Sequence, residues 1–575
     1  MKGEHVGSID IIIVLSFLLF SFLIGSLFYR WIESSDDYYV AGRQLTPFIL
    51  ATALTATNVN MYSFIGQTGI AYKSGISIIW LSWTGNMCLV IAGLLVVPIY
   101  RRLRIRSVPE FLGMRYNKGF QAFVGLLWML RLCFWLAVIL YASIIAAIAM
   151  TGIESYWFWV FALAGVAVLY TVLGGMWSVA FVDVFQFIFM LGGALILLPV
   201  AMSEVGWMDG LRAKFAAEPM FNNHLNFVPQ TGDFDWKAIL GFFLISLKWA
   251  GIDQGMVQRS LGANSVKSAA RGLTLSGIIT TPFALLWILP GIAAGLIYSQ
   301  EYLQSLHPTV ENVFEMAIPQ LLADKIPQIL PGLLGIIVAG MIASQLSTLS
   351  ADLNSAATLF TNDFYKNILK KEATSKNILF IVRMMTGVTG LFMILFAFLV
   401  PTLGGAVKAQ LTMVSILDMP LFVVCVIYGF LWKRTNWQGA IGGYIAGVIA
   451  GVLAFHPWSA PFGIFATCTF ISMIASLAAT PIITLFFKPQ EETENFKKAW
   501  NARYPSQEEI DSNDIYHLIP QTLRGKLSGL IIIGGLATFF IGILMGSTGT
   551  MAASWIAIIG MCIFFAGSLL RVYSD

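Results

Sequence analysis

Long apolar runs alternate with short polar segments along the chain, and most charged residues fall between the runs. Crossing the hydrocarbon core of a bilayer as a helix takes about 20 apolar residues. Runs of that length predict fifteen transmembrane helices, at roughly 8–29, 45–71, 76–100, 121–151, 155–177, 180–206, 236–252, 271–299, 329–362, 379–403, 408–432, 437–457, 462–487, 527–547 and 552–571. The first run, Gly7 to Tyr29, is too long for a signal-peptide core, and Tyr29-Arg30-Trp31 stands where a small-residue cleavage site would be. It reads as a retained helix. Segments 207–235, 300–328 and 488–526 have room for short amphipathic helices.

Basic residues test this division, because Lys and Arg accumulate on the cytoplasmic side. With the N-terminus outside, the inside segments hold 23 basic residues and the outside segments seven. Losing or adding one span would scramble that separation from that point on. The pattern therefore predicts fifteen spans in a cell membrane, with the N-terminus outside and the C-terminus in the cytoplasm.

Composition agrees. Of 575 residues, 58% are hydrophobic and 11% charged, against about 25% charged in an average soluble domain. The net charge of +4 forms no continuous basic stripe, so nothing points to nucleic acid. Cys88, Cys133, Cys425, Cys468 and Cys562 all lie in apolar runs and suggest neither disulfides nor a metal cage. No phosphate-binding glycine loop, HExxH or nucleophile elbow occurs, which argues against an enzyme and against a self-powered pump.

Function then has to be sought in polar residues at bilayer depth, where they are costly. The second span carries Thr55, Ala56, Thr57, Asn58, Val59, Asn60, Met61, Tyr62 and Ser63. Such a run suits a helix interrupted at its centre, with freed carbonyls and amides lining a wet cavity. The ninth span holds Ser344, Ser347, Thr348, Ser350 and Asp352, and the first three share one helix face. Hydroxyl and carbonyl oxygens converging there are hard ligands for a small cation. Hydroxyls bonding back to their own helix would explain the same spacing. Asp183, Asp253, Asp418, Lys248 and Arg131 are also placed in or at the ends of spans. There they must pair, protonate, or meet an ion or substrate.

Four stretches carry a resemblance. They are Asp37-Tyr38-Tyr39-Val40-Ala41-Gly42-Arg43; Gly174-Gly175 through Asp183 to Gln186; Asp253-Gln254 with Gln258-Arg259; and Ser347-Thr348-Leu349-Ser350, followed by Asn354-Ser355 and Phe360 to Lys366. In this order, over about residues 8 to 450, the chain resembles the sodium/solute symporter family of sodium-coupled sugar, proline, pantothenate, sialic acid and iodide carriers. One departure is Val182, where that pattern usually has threonine.

The resemblance implies an all-α membrane protein of the leucine-transporter type, with two inverted five-helix repeats and flanking helices. The division would be 1–44, an extra helix and inside loop; 45–206, the first repeat; 207–235, an outside loop; 236–432, the second repeat; 433–487, two flanking helices; 488–526, an inside loop; and 527–575, two further helices. It also implies Na+ as coupling ion, bound by the carbonyls of Ala56, Val59 and Ser344 and the hydroxyls of Ser347 and Thr348. Asp183 would hold a second ion or stabilise the region electrostatically.

The implied partner is a small polar solute: a sugar or polyol, an amino acid or an organic acid. Candidate pocket residues are Asn58, Asn60, Ser63, Ser82, Trp83, Lys248, Asp253 and Thr412. Ser63, Ser82 and Thr412 stand where sugar carriers have hydrogen-bonding glutamine or glutamate, and Asn58 stands where proline carriers have aspartate. Two alternatives stay open: a proton-coupled carrier using Asp183 or Asp253, and a non-transporting solute sensor.

Overall fold

A computed structural model describes residues 7–217, 224–308, 310, 312–370, 372, 374–403, 416–454 and 464–574. Among these, eleven helices are long and apolar enough to span a bilayer, and a bent pair adds a twelfth candidate. In chain order the main helices are α1 (Ser8–Trp31), α2 (Pro47–Asn58), α3 (Met61–Ser74), α4 (Ile76–Arg102), α5 (Lys118–Thr151), α6 (Tyr156–Val205), α7 (Trp236–Ile252) and α8 (Val266–Ile297). There follow α9 (Leu333–Leu369), α10 (Ser375–Ala397), α11 (Ile416–Leu431), α12 (Trp437–Ala454), α13 (Ile464–Phe486), α14 (Leu523–Thr548) and α15 (Met551–Val572). The predicted amphipathic helices lie in the longer connections, at Trp207–Ala217, Gln300–Leu306, Ala317–Lys325, Glu494–Asn501 and Gln507–Asp511.

Local chemistry starts and stops these helices. Thr46 caps α2 by accepting the Ile49 N–H, with Pro47 in the first turn, where its missing N–H costs nothing. Asn117 caps α5 and Ser265 caps α8 in the same way.

The predicted fifth and sixth spans run end to end as α6, a stretch of 50 residues made of two helical segments. Its helical geometry breaks at Gly175, at φ 50° and ψ −138°. A side chain there would be strained, and its Cβ would stand 2.6 Å from the Tyr38 carbonyl oxygen. The chain thus kinks at Gly175, next to the predicted boundary between the fifth and sixth spans.

Packing sorts the helices into two groups. In one, α4 lies against α7 and α8, and α8 against α2 and α3; in the other, α9 lies against α5, α6 and α10. The groups meet where α2 packs on α6 and α9 and where α8 packs on α6. Around them, α1 leans on α6 and α9, while α14 and α15 form a tight pair beside α4, α7 and α8. Glycine makes that pair close: a Cβ on Gly560 would sit 2.2 Å from the Phe539 nitrogen, and one on Gly542 2.3 Å from the Ala557 nitrogen. Without a hydrophobic force between helices in lipid, such backbone approach supplies the dispersion contact that holds them.

Candidate functional site

The α-helical ladder of α2 stops at Val59, whose N–H reaches the Thr55 carbonyl at 3.2 Å. Val59 and Asn60 are extended (φ −97°, ψ 116° and φ −128°, ψ −178°), and α3 resumes at an angle of 55°. Neither residue favours continuation: Val is β-branched, and Asn competes for backbone hydrogen bonds. The break exposes carbonyls at the negative end of the α2 dipole, in a position that favours a cation.

The ninth-span helix faces this break. Ser347 Oγ and Thr57 Oγ1 are 3.0 Å apart. Thr348 Oγ1 lies within donating reach of two carbonyls, Thr57 at 3.4 Å and Ser344 at 3.2 Å. Ser344, Ser347, Thr348, Ala56 and Val59 are all buried. Not every hydroxyl turns to the break: Ser344 donates to Met341 at 2.7 Å and Ser350 to Ser347 at 3.1 Å, within their own helix. What converges between α2 and α9 is a set of oxygens, the ligand type that small hard cations take.

Asp183 lies beside this set and is paired. Arg259, from the short helix Gln254–Leu261 that follows α7, donates to Asp183 Oδ2 at 2.9 and 3.3 Å, and both side chains are fully buried. The same guanidinium reaches the Ser347 carbonyl at 3.3 Å. Asp183 Oδ1 is buried without a partner. Taking two charges out of water is tolerable only when they neutralise each other, so the pair acts as one unit behind α9.

Toward α4 and α8 the polar groups form chains. Asn58 Nδ2 donates to Asn86 Oδ1 at 2.8 Å, and Asn86 Nδ2 donates to Thr281 Oγ1 at 3.1 Å. The Trp83 indole N–H donates to the Thr281 carbonyl at 2.9 Å, while its ring stacks on Phe227 with centroids 5.6 Å apart. Ser82 Oγ donates to Gln67 Oε1 at 3.0 Å. Ser63 is buried, and Asn60 is partly open.

Lys248 and Asp253 belong to a different cluster. Lys248 and Arg131 both lie 3.3 Å from Asp418 Oδ2, and Arg131 also lies 3.5 Å from Asp253, which caps the helix after α7 through the Gly255 N–H. Thr412 lies outside the described residues. Thr57, Asn86, Gln67 and Arg259 were not among the expected site residues. Thr57, Gln67 and Asn86 are polar residues within apolar spans, which is the signal that identifies them, whereas Arg259 lies in the polar segment after α7 and carries no such signal.

The profile of the sodium:solute symporter family matches residues 38–447. The chain is 29% identical over 451 residues to the sodium/glucose cotransporter of Vibrio parahaemolyticus, covering 75% of this chain and 81% of that one. It is 26% identical over 475 residues to the human sodium/myo-inositol cotransporter 2, covering 78% and 69%. A solved structure of a Na+-coupled sialic acid symporter in a substrate-bound outward-open state superposes with a TM-score of 0.75 at 22% identity, over 85% of this chain and 99% of that one. That likeness shows a shared fold. With the family profile spanning most of its length and an oxygen-lined break facing its hydroxyl-bearing helix, this multi-pass membrane protein belongs to the sodium:solute symporter family and carries out sodium-coupled symport of a small solute.

Proposed function

We propose that the coupling sodium ion binds between α2 and α9, on the carbonyls of Ala56, Val59 and Ser344 and the hydroxyls of Ser347 and Thr348. The observation that carries this is the meeting of Thr57 with Ser347 at 3.0 Å and of Thr348 with the Thr57 carbonyl at 3.4 Å, across the break. An ion there ties the two helix groups together. Its binding raises the population of the state that accepts solute, with a coupling of about 1–3 kcal/mol typical of linked sites. The membrane potential then adds about 2.3 kcal/mol per charge per 100 mV to inward release. Asp183 serves electrostatically, since Arg259 already holds one of its oxygens.

The transported solute is a neutral sugar or polyol, imported across a cell membrane. Side chains around the break are amides, hydroxyls and indoles, while Lys248 and Arg131 are engaged by Asp418 and Asp253. Relatives named as glucose and myo-inositol cotransporters support the same class. Two inverted five-helix repeats, α2 to α6 and α7 to α11, rock about the site, with the N-terminus outside and the C-terminus inside. Proton coupling fits less well, because Asp183 and Asp253 each already face a guanidinium.

Proteoliposomes holding the purified protein test this reading. An inward sodium gradient is expected to drive uptake of labelled D-glucose or myo-inositol, and a proton gradient alone is not. Uptake that persists without sodium and collapses with the pH gradient would overturn the sodium reading. Sodium-driven uptake confined to amino acids or organic acids would overturn the solute class.

A further inference from the structure

Gln67 has no part in the sodium site, yet its surroundings fix its orientation. Its Oε1 stands 3.0 Å from the Trp287 indole nitrogen and 3.0 Å from Ser82 Oγ. An indole N–H only donates, so the atom facing Trp287 must be the carboxamide oxygen. The amide nitrogen therefore points away from Trp287. Among the described residues that nitrogen makes no hydrogen bond, and it is not sealed from solvent as a buried orphan is.

The three residues come from different helices: Gln67 from α3, Ser82 from α4 and Trp287 from α8. Gln67 and Trp287 are buried, whereas Ser82 is partly open, as are Asn58, Asn60 and Tyr62 at the break. A serine and an amide at this depth are costly against lipid, which favours a polar lining for the side of α4 that carries Ser82. Trp287 is itself wedged against Phe64, with ring centroids 5.7 Å apart, which holds the acceptor side of the amide still.

We propose that Gln67 and Ser82 together form a specificity-determining subsite for one hydroxyl group of the solute, with Trp287 as the positioning residue. The Gln67 N–H group donates to the hydroxyl oxygen. The Ser82 oxygen, whose own proton is committed to Gln67, accepts the hydroxyl proton. One donor and one acceptor side by side match a hydroxyl, which accepts and donates at once. They match neither a methylene nor a carboxylate. A site built around such a pair rejects the analogue lacking that hydroxyl, because its own polar groups are then left unpaired. This rests on the proposed neutral-polyol solute and narrows it: one particular hydroxyl is obligatory.

The test is sodium-driven uptake of D-glucose and myo-inositol by proteoliposomes, with each single-deoxy analogue as competitor, in the wild type and in Gln67→Glu, Gln67→Leu and Ser82→Ala. Gln67→Glu keeps an oxygen for Trp287 and Ser82 and replaces the N–H donor with a carboxyl oxygen, while Gln67→Leu removes the donor without adding charge. The wild type is expected to discriminate by about a hundred-fold or more against one analogue alone. Each variant is expected to raise KM for the parent solute by about ten-fold or more, to flatten discrimination at that one position, and to leave the sodium half-saturation unchanged. Ser82→Ala, the smallest change, carries the same expectation if a Gln67 variant does not fold. Variants that keep the wild-type KM and analogue profile would overturn the subsite while leaving the polyol reading intact. A wild type that takes up no neutral polyol, but does take up another solute with sodium, would overturn both.

Discussion

Asp183→Asn removes one charge from a buried pair and leaves the shape almost unchanged. Arg259 then keeps its full positive charge within reach of the Ser347 carbonyl, 3.3 Å away. For a cation between α2 and α9 within about 10 Å of that guanidinium, the uncompensated repulsion at an effective dielectric constant of about 20 is about 2 kcal/mol. That is roughly a thirty-fold loss of sodium affinity. Breaking the pair also destabilises the fold, by about 3–5 kcal/mol for a fully buried charge left alone. The double variant Asp183→Asn/Arg259→Gln removes the repulsion and is expected to recover most of the sodium affinity, although α9 loses a donor to Ser347. Sodium half-saturation, measured by thermal shift of purified protein and by uptake, reads both effects. A single variant within two-fold of wild type, or a double variant no better than the single, would refute the electrostatic reasoning.

Other consequences follow from the packing. Asp418→Asn strands Lys248, leaves Arg131 with Asp253 alone, and should cost about 3–5 kcal/mol in thermal stability, whereas Lys248→Met leaves the Arg131–Asp418 pair and should cost less. Gly560→Ala forces α14 and α15 apart, costing about 1–3 kcal/mol, while Gly534→Ala, with open space around it, should be neutral in the same melting assay. Glu509, between α13 and α14, is raised by burial but lowered more by Arg102 together with the Ser506 and Tyr516 N–H groups that donate to it, so its carboxyl lies below the usual glutamate range. Its unfolded form binds the proton more readily. Stability from this group is therefore complete above the ordinary glutamate pKa and lost as pH falls through the lower folded value. Melting temperature should drop across that acidic window, and Glu509→Gln should flatten the drop.

The hydroxyl-bearing face of α9 was legible because it is local. Ser344, Ser347 and Thr348 share a face by helical arithmetic, and the polar run from Thr55 to Ser63 marks a helix that cannot stay regular in lipid. Their meeting in space was legible only through the family resemblance. Pairings between distant elements were not: Arg259 finds Asp183 across 76 positions, and Gln67 finds Trp287 across 220. Lys248 was expected to pair with a carboxylate or to meet the solute, but the partner its ammonium meets, Asp418, lies 170 positions away. A hydrophobic period reports which face of one helix is buried, and says nothing of the neighbour it is buried against. Gly175 shows the same limit in the backbone: the glycine pair stood out as a motif, but the kink it makes close against Tyr38 did not.

The most direct measurement is equilibrium binding of radioactive sodium to purified Thr348→Ala, with Ser350→Ala as the control. Thr348 reaches across to the broken helix, whereas the Ser350 hydroxyl stays on its own helix. If the ion lies where α2 opens toward α9, the first variant loses sodium affinity by about ten-fold or more, the cost of removing one charge-assisted oxygen contact, and the control binds as the wild type does. Equal affinity in Thr348→Ala and wild type would contradict that placement of the ion.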